Sequence, residues 1–280
     1  ITASLRSYSD IMTIESYRQH LEEKVAERTR ELHEKNQELI KVNQEKNEFL
    51  AIAAHDLKNP LASIQTLANL IKTSFEDFPK AKLLEFAHMI EISSQKMFEL
   101  IKNLLDVNAI ESGKMNLSFD VLDMRHIVLV ILENYVEPAK AKNIHLHVQS
   151  EDQKYPIFAD KLATNQVLEN LISNAIKYSP RGKNVYIRIL QHDQGVRCAV
   201  QDEGPGLNEK DRAKLFGKFA RLSPRPTGNE HSTGLGLFIV KKLVATMKGK
   251  VWCETEVGKG STFILELPIP TSTPFPEFQV

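Results

Sequence analysis

The chain has 280 residues, with 36 Lys and Arg against 36 Asp and Glu and a formal net charge of +0. At roughly 100–200 residues per domain it holds one to three domains, and 42% hydrophobic with 26% charged residues excludes disordered, collagenous and disulfide-stapled classes. Balanced charge without a basic block argues against a nucleic-acid binder, and no apolar run approaches the ~20 residues of a membrane span. Cys198 and Cys253 stand far apart in no metal-ligand spacing and read as small apolar residues of a reducing, cytoplasmic compartment. With no initiator Met and no signal-peptide pattern, the chain is expected to start in mid-protein.

All 12 glycines lie between Gly113 and Gly260, and the only prolines in residues 1–112 are Pro60 and Pro79, so long helices are expected there. One apolar line runs Val25, Leu32, Leu39, Ala53, Leu67. Its companion runs Thr29, Asn36, Asn43, Leu50, Leu57, Ile64, Ile71, Phe78, which makes a heptad seam from about residue 22 to 78. Residues 1–44 are its thin, polar-spiced half, a coiled-coil linker. Glu76 to Pro79 reads as a turn. The second helix carries Leu83, Ala87, Ile90, Ser94, Met97, Ile101, Leu104 and Asn108, and stops at Gly113. Residues 45–113 thus predict an antiparallel helical hairpin, completed either by a second copy in a dimeric four-helix bundle or by packing on the next domain.

From Asn116 the pattern alternates. Strands are expected at 116–121, 144–149, 184–191, 196–202, 250–256 and 261–267. Helices are expected at 124–139, 163–178, 209–216 and 235–247. This predicts an α/β sandwich over 114–268 with helices on one face, then a Pro-rich flexible tail, 269–280.

His55 falls at an f position, pointing away from the seam, with Asp56 adjoining it and Asn59 one turn on. Pro60 lacks an N–H, so a kink is expected beside the histidine. A lone histidine on a charged helix is usually solvated surface. What points to chemistry is the cluster of imidazole, adjacent carboxylate and backbone break together, because the carboxylate can hold the tautomer and accept a proton from a nucleophilic imidazole. Asn170 and Asn174 lie i, i+4 on a later helix, with Lys177 and Tyr178 continuing the stripe. That stripe is either a polar solvent face or a magnesium site, since amide oxygens suit a hard cation that also binds phosphates. Asp202-Glu203-Gly204-Pro205-Gly206 ends a strand, and Thr233-Gly234-Leu235-Gly236-Leu237 opens a helix whose N–H groups suit phosphates. Between them, Phe216, Phe219, Arg221 and the run Ser223 to Asn229 read as a mobile lid.

In this order the segments resemble two-component sensor histidine kinases. His55 to Leu61 is similar to the H box, Asn170 to Tyr178 to the N box, Asp202 to Gly206 and Thr233 to Leu237 to the two glycine boxes, and Phe216/Phe219 to the F box. Gly258 to Phe263 resembles the closing strand. Lys248-Gly249-Lys250 stands where paired glycines are commoner, and the segment before Gln166 lacks a frequent basic residue.

The resemblance implies a dimeric phosphotransfer bundle followed by a Bergerat-type, gyrase-like ATP-binding sandwich that uses ATP and Mg2+. It makes His55 the phospho-acceptor, Asp56 its acid/base partner, and Asn59 the residue that orients water for dephosphorylation. Asn174 would hold Mg2+, with Asn170 and Lys177 near the phosphates. Asp202 would read the adenine amine, Gly204, Gly206, Gly234 and Gly236 would let backbone close in, and Arg221 would approach the γ-phosphate. Tyr178, Thr233, Leu235, Leu237 and Thr262 complete the implied nucleotide positions. The implied reaction is autophosphorylation of His55 and transfer to an aspartate of a response regulator receiver domain, with phosphatase activity toward that regulator. Implied partners are a second copy and an upstream sensor domain, absent from this chain, which could anchor the cytoplasmic core to a membrane. Two other readings fit parts of the pattern. A nucleotide-sensing scaffold or dedicated phosphatase would use Asn59 and not His55; a gyrase-type clamp fits the second glycine box but not the hairpin.

Overall fold

The computed structural model describes residues 2–192, 195–220, 222–228 and 234–270. The chain divides into two units, residues 1–54 and 55–280. The first unit is helical throughout, the N-terminal part of α1 (Thr2–Thr73). Its expected coiled-coil positions Val25, Leu32 and Leu39 are exposed on the single chain. Arg28–Glu31 and Arg30–Glu34 pairs run along its surface. Such exposed pairs add little stability, and among its described side chains up to residue 48 this stretch buries none.

The second unit begins with the rest of α1, which continues through Pro60 as one helix. Here the expected seam is formed: Leu67 is buried, and Leu57, Ile64, Ile71 and Phe78 are half-buried. A single 3-10 turn, Phe75–Asp77, reverses the chain into α2 (Lys80–Glu111), and Phe78 meets Phe86 edge to face at 5.2 Å. On α2 the expected seam is half right. Leu83, Ile90, Met97 and Leu104 are half-buried as expected, but Ala87, Ser94, Ile101 and Asn108 are exposed. Phe86, Ser93, Leu100 and Val107 are buried instead. With Leu83, Ile90, Met97 and Leu104, either set satisfies a 3-4 spacing. Phe86 over Ala87 and Val107 over Asn108 bury the larger apolar side chain, while Leu100 over Ile101 is decided by which helix packs beside it. Gly113, at φ +65°, ends the helix: Gly113 N–H donates to Ile110 and Lys114 N–H to Ala109.

The remainder is β1 (Phe119–Asp123), α3 (Met124–Ala141), β2 (His145–Gln149), β3 (Pro156–Asp160), α4 (Lys161–Tyr178), β4 (Asn184–His192), β5 (Gly195–Asp202), α5 (Glu209–Lys214), α6 (Gly236–Thr246), β6 (Lys250–Glu256) and β7 (Gly260–Pro268). Two differences from the sequence reading stand out. β1 starts later than 116, and β3 is an added strand, hidden in the sequence because its five residues open on a proline that suits only an edge. β1 and β3 pair antiparallel as a separate ribbon. The main sheet has the order β2-β4-β5-β7-β6, with only β2 and β4 parallel.

Helices cover one face of this sheet. Val185, Ile187 and Ile189 of β4 and Val196, Cys198 and Val200 of β5 are fully buried, as are Val167, Leu168, Leu171 and Ile172 of α4 and Ile239, Val240 and Leu243 of α6. Asp123 and Asp160 cap α3 and α4, accepting from Arg125 N–H at 3.1 Å and Ala163 N–H at 2.8 Å. Among the described residues no helix is long and apolar enough to cross a membrane.

Candidate active site

One cleft of about 1010 Å3 opens within the second unit, lined from α1, α2, α3, α4 and the loops between β5 and α6. From α1 come His55, Asp56 and Asn59. The imidazole is 65% exposed while the Asp56 side chain is 6% exposed, and Nδ1 lies 3.1 Å from Asp56 Oδ1. A carboxylate only accepts, so in a neutral imidazole making this contact Nδ1 carries the hydrogen and Nε2 keeps its lone pair.

Across the cleft, α4 contributes Asn170, Asn174, Lys177 and Tyr178. Asn170 Nδ2 donates to the Gln166 carbonyl at 2.9 Å, which turns its Oδ1 toward the start of α6. A Cβ on Gly236 would sit 2.3 Å from that oxygen, so any larger residue there would have to displace the Asn170 amide. Asn174 is half-buried, and among the described residues its amide has no hydrogen-bond partner. A half-buried amide facing a cleft without a protein partner is suited to a ligand or ion.

Asp202, at the end of β5, is 4% exposed. Its Oδ1 accepts from Gly204 N–H at 2.8 Å and Ser261 N–H at 3.1 Å, which leaves Oδ2 for an incoming donor. Burial pushes its carboxyl up to about 6, against the lowering effect of those two N–H groups. Around it, Thr255 Oγ1 accepts from Leu207 N–H at 2.9 Å and donates to the Gly260 carbonyl at 3.0 Å, fixing the turn through Gly206.

The cleft therefore gathers His55, Asp56, Asn59, Asn170, Asn174, Lys177, Tyr178, Asp202, Gly206, Gly234, Gly236 and Leu237. Gly204 and Leu235 support it without lining it: the first donates to Asp202, and the second is fully buried. Thr262 needs correcting. Ser261 and Phe263 line the cleft, and strand alternation turns Thr262 to the other face of β7, where it pairs with Gln201 and Glu254. The pairing of Gln201 with Thr262 is what sets Ser261 beside Asp202, and no short-range sequence signal carries that register. Arg221 and Thr233 lie outside the described residues, as does the tail from Thr271 on. Part of the expected mobile lid is tied down: Thr227 N–H donates to the Lys177 carbonyl at 2.9 Å and its hydroxyl to the Ser179 carbonyl at 2.6 Å. Sequence reasoning also misses α2 as a wall of the cleft, where Gln95, Glu99 and Lys102 face α4.

Residues 45–113 match the family described as the His Kinase A (phospho-acceptor) domain, and residues 159–271 match the histidine kinase-, DNA gyrase B- and HSP90-like ATPase family. The chain is 32% identical over 253 residues to the circadian input-output histidine kinase CikA of Synechococcus elongatus, covering 89% of this chain and 33% of that protein. It is 29% identical to the sensor histidine kinase WalK of Bacillus subtilis, covering 81% and 37%. The chain thus spans about a third of the length of these relatives. In fold it is similar to a solved structure of histidine kinase ThkA in complex with response regulator protein TrrA (TM-score 0.63, 24% identity, 80% of this chain and 61% of that one). The chain belongs to the two-component sensor histidine kinases, carrying both the phospho-acceptor hairpin and the gyrase-like ATPase domain of that family.

Proposed function

We propose that this chain is an autokinase that moves the γ-phosphoryl group of ATP onto His55 and then onto an aspartate of a response regulator. The observation that carries the reading is one cleft holding an exposed imidazole, oriented by a buried carboxylate, together with the Asn174 amide and the Asp202 carboxyl. In this reading residues 45–113 form the phosphotransfer hairpin of a homodimer, residues 114–268 the nucleotide-binding domain, and residues 1–44 the linker that brings the input.

Asp202 Oδ2 accepts the adenine amine, an acceptor buried enough to reward a donor and, among the described residues, short of one. Gly204 and Gly206 let the adenine approach, and the start of α6 at Gly234 and Gly236 offers N–H groups to the phosphates. Asn174, with Asn170 and Lys177 beside it, would hold Mg2+. Among the described residues no cluster of three His, Cys, Asp or Glu gathers to bind a metal, so that ion would rely on the amide and the nucleotide phosphates together. Bound there, it would offset phosphate charge.

Nε2 of His55 attacks, Nδ1–H is held by Asp56, and the proton lost from the phosphorylated ring passes to that carboxylate. Asn59, on the same helix face and in the same cleft, is the candidate for placing water when a phosphorylated regulator docks, which would give phosphatase activity. Incubation with labelled ATP and Mg2+ tests the kinase reading. Acid-labile label on the wild type and none on His55→Ala is expected; undiminished label on His55→Ala overturns it.

A further inference from the structure

We propose that Lys102 is a further catalytic residue, contacting the γ-phosphoryl group as it passes from nucleotide to His55. The inference rests on the kinase reading above. Three cations line the cleft, Lys177, Arg225 and Lys102. The first two belong to the nucleotide side. Among the described residues Lys102 is the only cation the hairpin adds to the cleft.

Helix geometry sets its place. Gln95, Glu99, Lys102 and Asp106 recur every three or four residues on the face of α2 opposite Phe86, Ser93, Leu100 and Val107, the buried seam. Asp106 accepts from Gln166 Nε2 at 2.6 Å, and Asn170 and Asn174 follow Gln166 along α4 in steps of one turn. Lys102 therefore stands about one turn, ~5.4 Å, from the junction with the asparagine stripe. His55 lies roughly 20 residues before the reversal at Phe75–Asp77, and Lys102 about 25 residues after it, so the antiparallel helices bring the two to within about a turn or two of the same level.

The charge pattern supplies the need. Asp56, Glu99, Glu169 and Asp202 all line the cleft. A phosphoryl group travelling from ATP to His55 carries negative charge toward Asp56, and that repulsion opposes transfer unless a cation waits on the acceptor side. Among the described residues the Lys102 ammonium makes no ion pair or hydrogen bond, so it is available for this role. In the step itself a bond forms between His55 Nε2 and Pγ. The bond from Pγ to the bridging oxygen breaks, and that oxygen leaves with the electron pair on ADP. The Nδ1 proton goes to Asp56, and Lys102 keeps its protons throughout.

The test uses the whole chain, as wild type, Lys102→Ala and Lys102→Arg, with two readouts. One is the rate of His55 labelling at saturating labelled ATP and Mg2+. The other is affinity for ADP and for the non-hydrolysable analogue AMPPNP. In Lys102→Ala the labelling rate should fall about 10- to 100-fold, AMPPNP affinity should weaken and ADP affinity should stay within about twofold, with Lys102→Arg recovering most of the rate. An unchanged rate and unchanged AMPPNP affinity in Lys102→Ala, or an equal loss of ADP affinity, overturns the proposal. A wild type that never labels His55 refutes the kinase reading instead, and AMPPNP-over-ADP selectivity then still decides whether Lys102 meets the third phosphate.

Discussion

Gln166 of α4 donates to the Asp106 carboxylate of α2 at 2.6 Å, so the asparagine-bearing helix is tied directly to the hairpin that carries His55. A second tie lies nearby, Lys218 to Glu111 at 2.5 Å, where one partner follows the phenylalanine Phe216 and the other ends α2. The first is a part-buried hydrogen bond to a carboxylate and the second a half-exposed ion pair, too weak to weld α4 to the hairpin and strong enough to bias where it docks.

The docked arrangement puts His55 in one cleft with Asn174 and Asp202, so on the proposed reading loosening it should slow phosphoryl transfer and spare nucleotide binding. Asp106→Ala should lower the His55 labelling rate about tenfold, in keeping with the ~1.5 kcal/mol of a hydrogen bond to a charged group, with ADP affinity unchanged. Stopped labelling reactions and ADP titrations of one preparation check both halves.

Gly236→Ala attacks the pocket itself. The added Cβ would lie 2.3 Å from Asn170 Oδ1, and the near neighbour is a half-buried side chain already committed to the Gln166 carbonyl. Either α6 shifts or Asn170 turns away, and both disturb the phosphate end. ADP affinity should fall at least about tenfold while the thermal midpoint changes little, which calorimetry and a melting curve report separately.

What the sequence made legible follows from how local each signal is. The glycine turns, the Asn170/Asn174 stripe and the His55–Asp56 neighbours are short-range patterns, and one cleft gathers them. Partnership between distant elements was not legible. Nothing in the α2 sequence says that Glu99 and Lys102 face α4, and the choice of Leu100 over Ile101 for the seam depends on which helix arrives beside it. Thr262 failed for a different reason. A one-residue slip in a strand reverses the side chain, and only the register opposite Gln201 shows that Ser261 is the one beside Asp202.

The departure at Lys248 has a measurable cost. Lys248 adopts φ +58° just after α6, with its N–H on the Ala245 carbonyl and Gly249 N–H on that of Val244, a left-handed helix ending that glycine fills without strain. Lys248→Gly should raise stability by about 1 kcal/mol without altering nucleotide affinity. Chemical denaturation midpoints with and without ADP test this.

The exposed face beside the seam supports a dimer. Leu61 of α1 and Ile101 and Leu105 of α2 are 43%, 44% and 63% exposed on the single chain, next to residues that are already buried. A second hairpin would cover them and complete a four-helix core. Ile101→Glu should convert a dimer to a monomer in sedimentation; a wild type already monomeric at high concentration would remove the homodimer from the proposal.

The last prediction concerns pH. Burial lifts Asp202 from 3.8 to about 6, so the folded, nucleotide-free protein takes up a proton that the unfolded chain does not hold between those values. Its stability therefore falls as pH rises through that window, because ionising a buried carboxyl with a free oxygen is costly. On the proposed reading nucleotide reverses the preference, since an adenine amine would donate to Oδ2 only when that oxygen is ready to accept. Affinity for ADP should tighten as pH rises through about 6 and then level. The Asp202→Asn variant cannot titrate there, so its affinity should be weaker at high pH and should vary only as the phosphates of ADP do. Subtracting the Asp202→Asn curve from the wild-type curve isolates the carboxyl. A flat difference would mean that Asp202 never meets the base, and the adenine would then have to be read by another group.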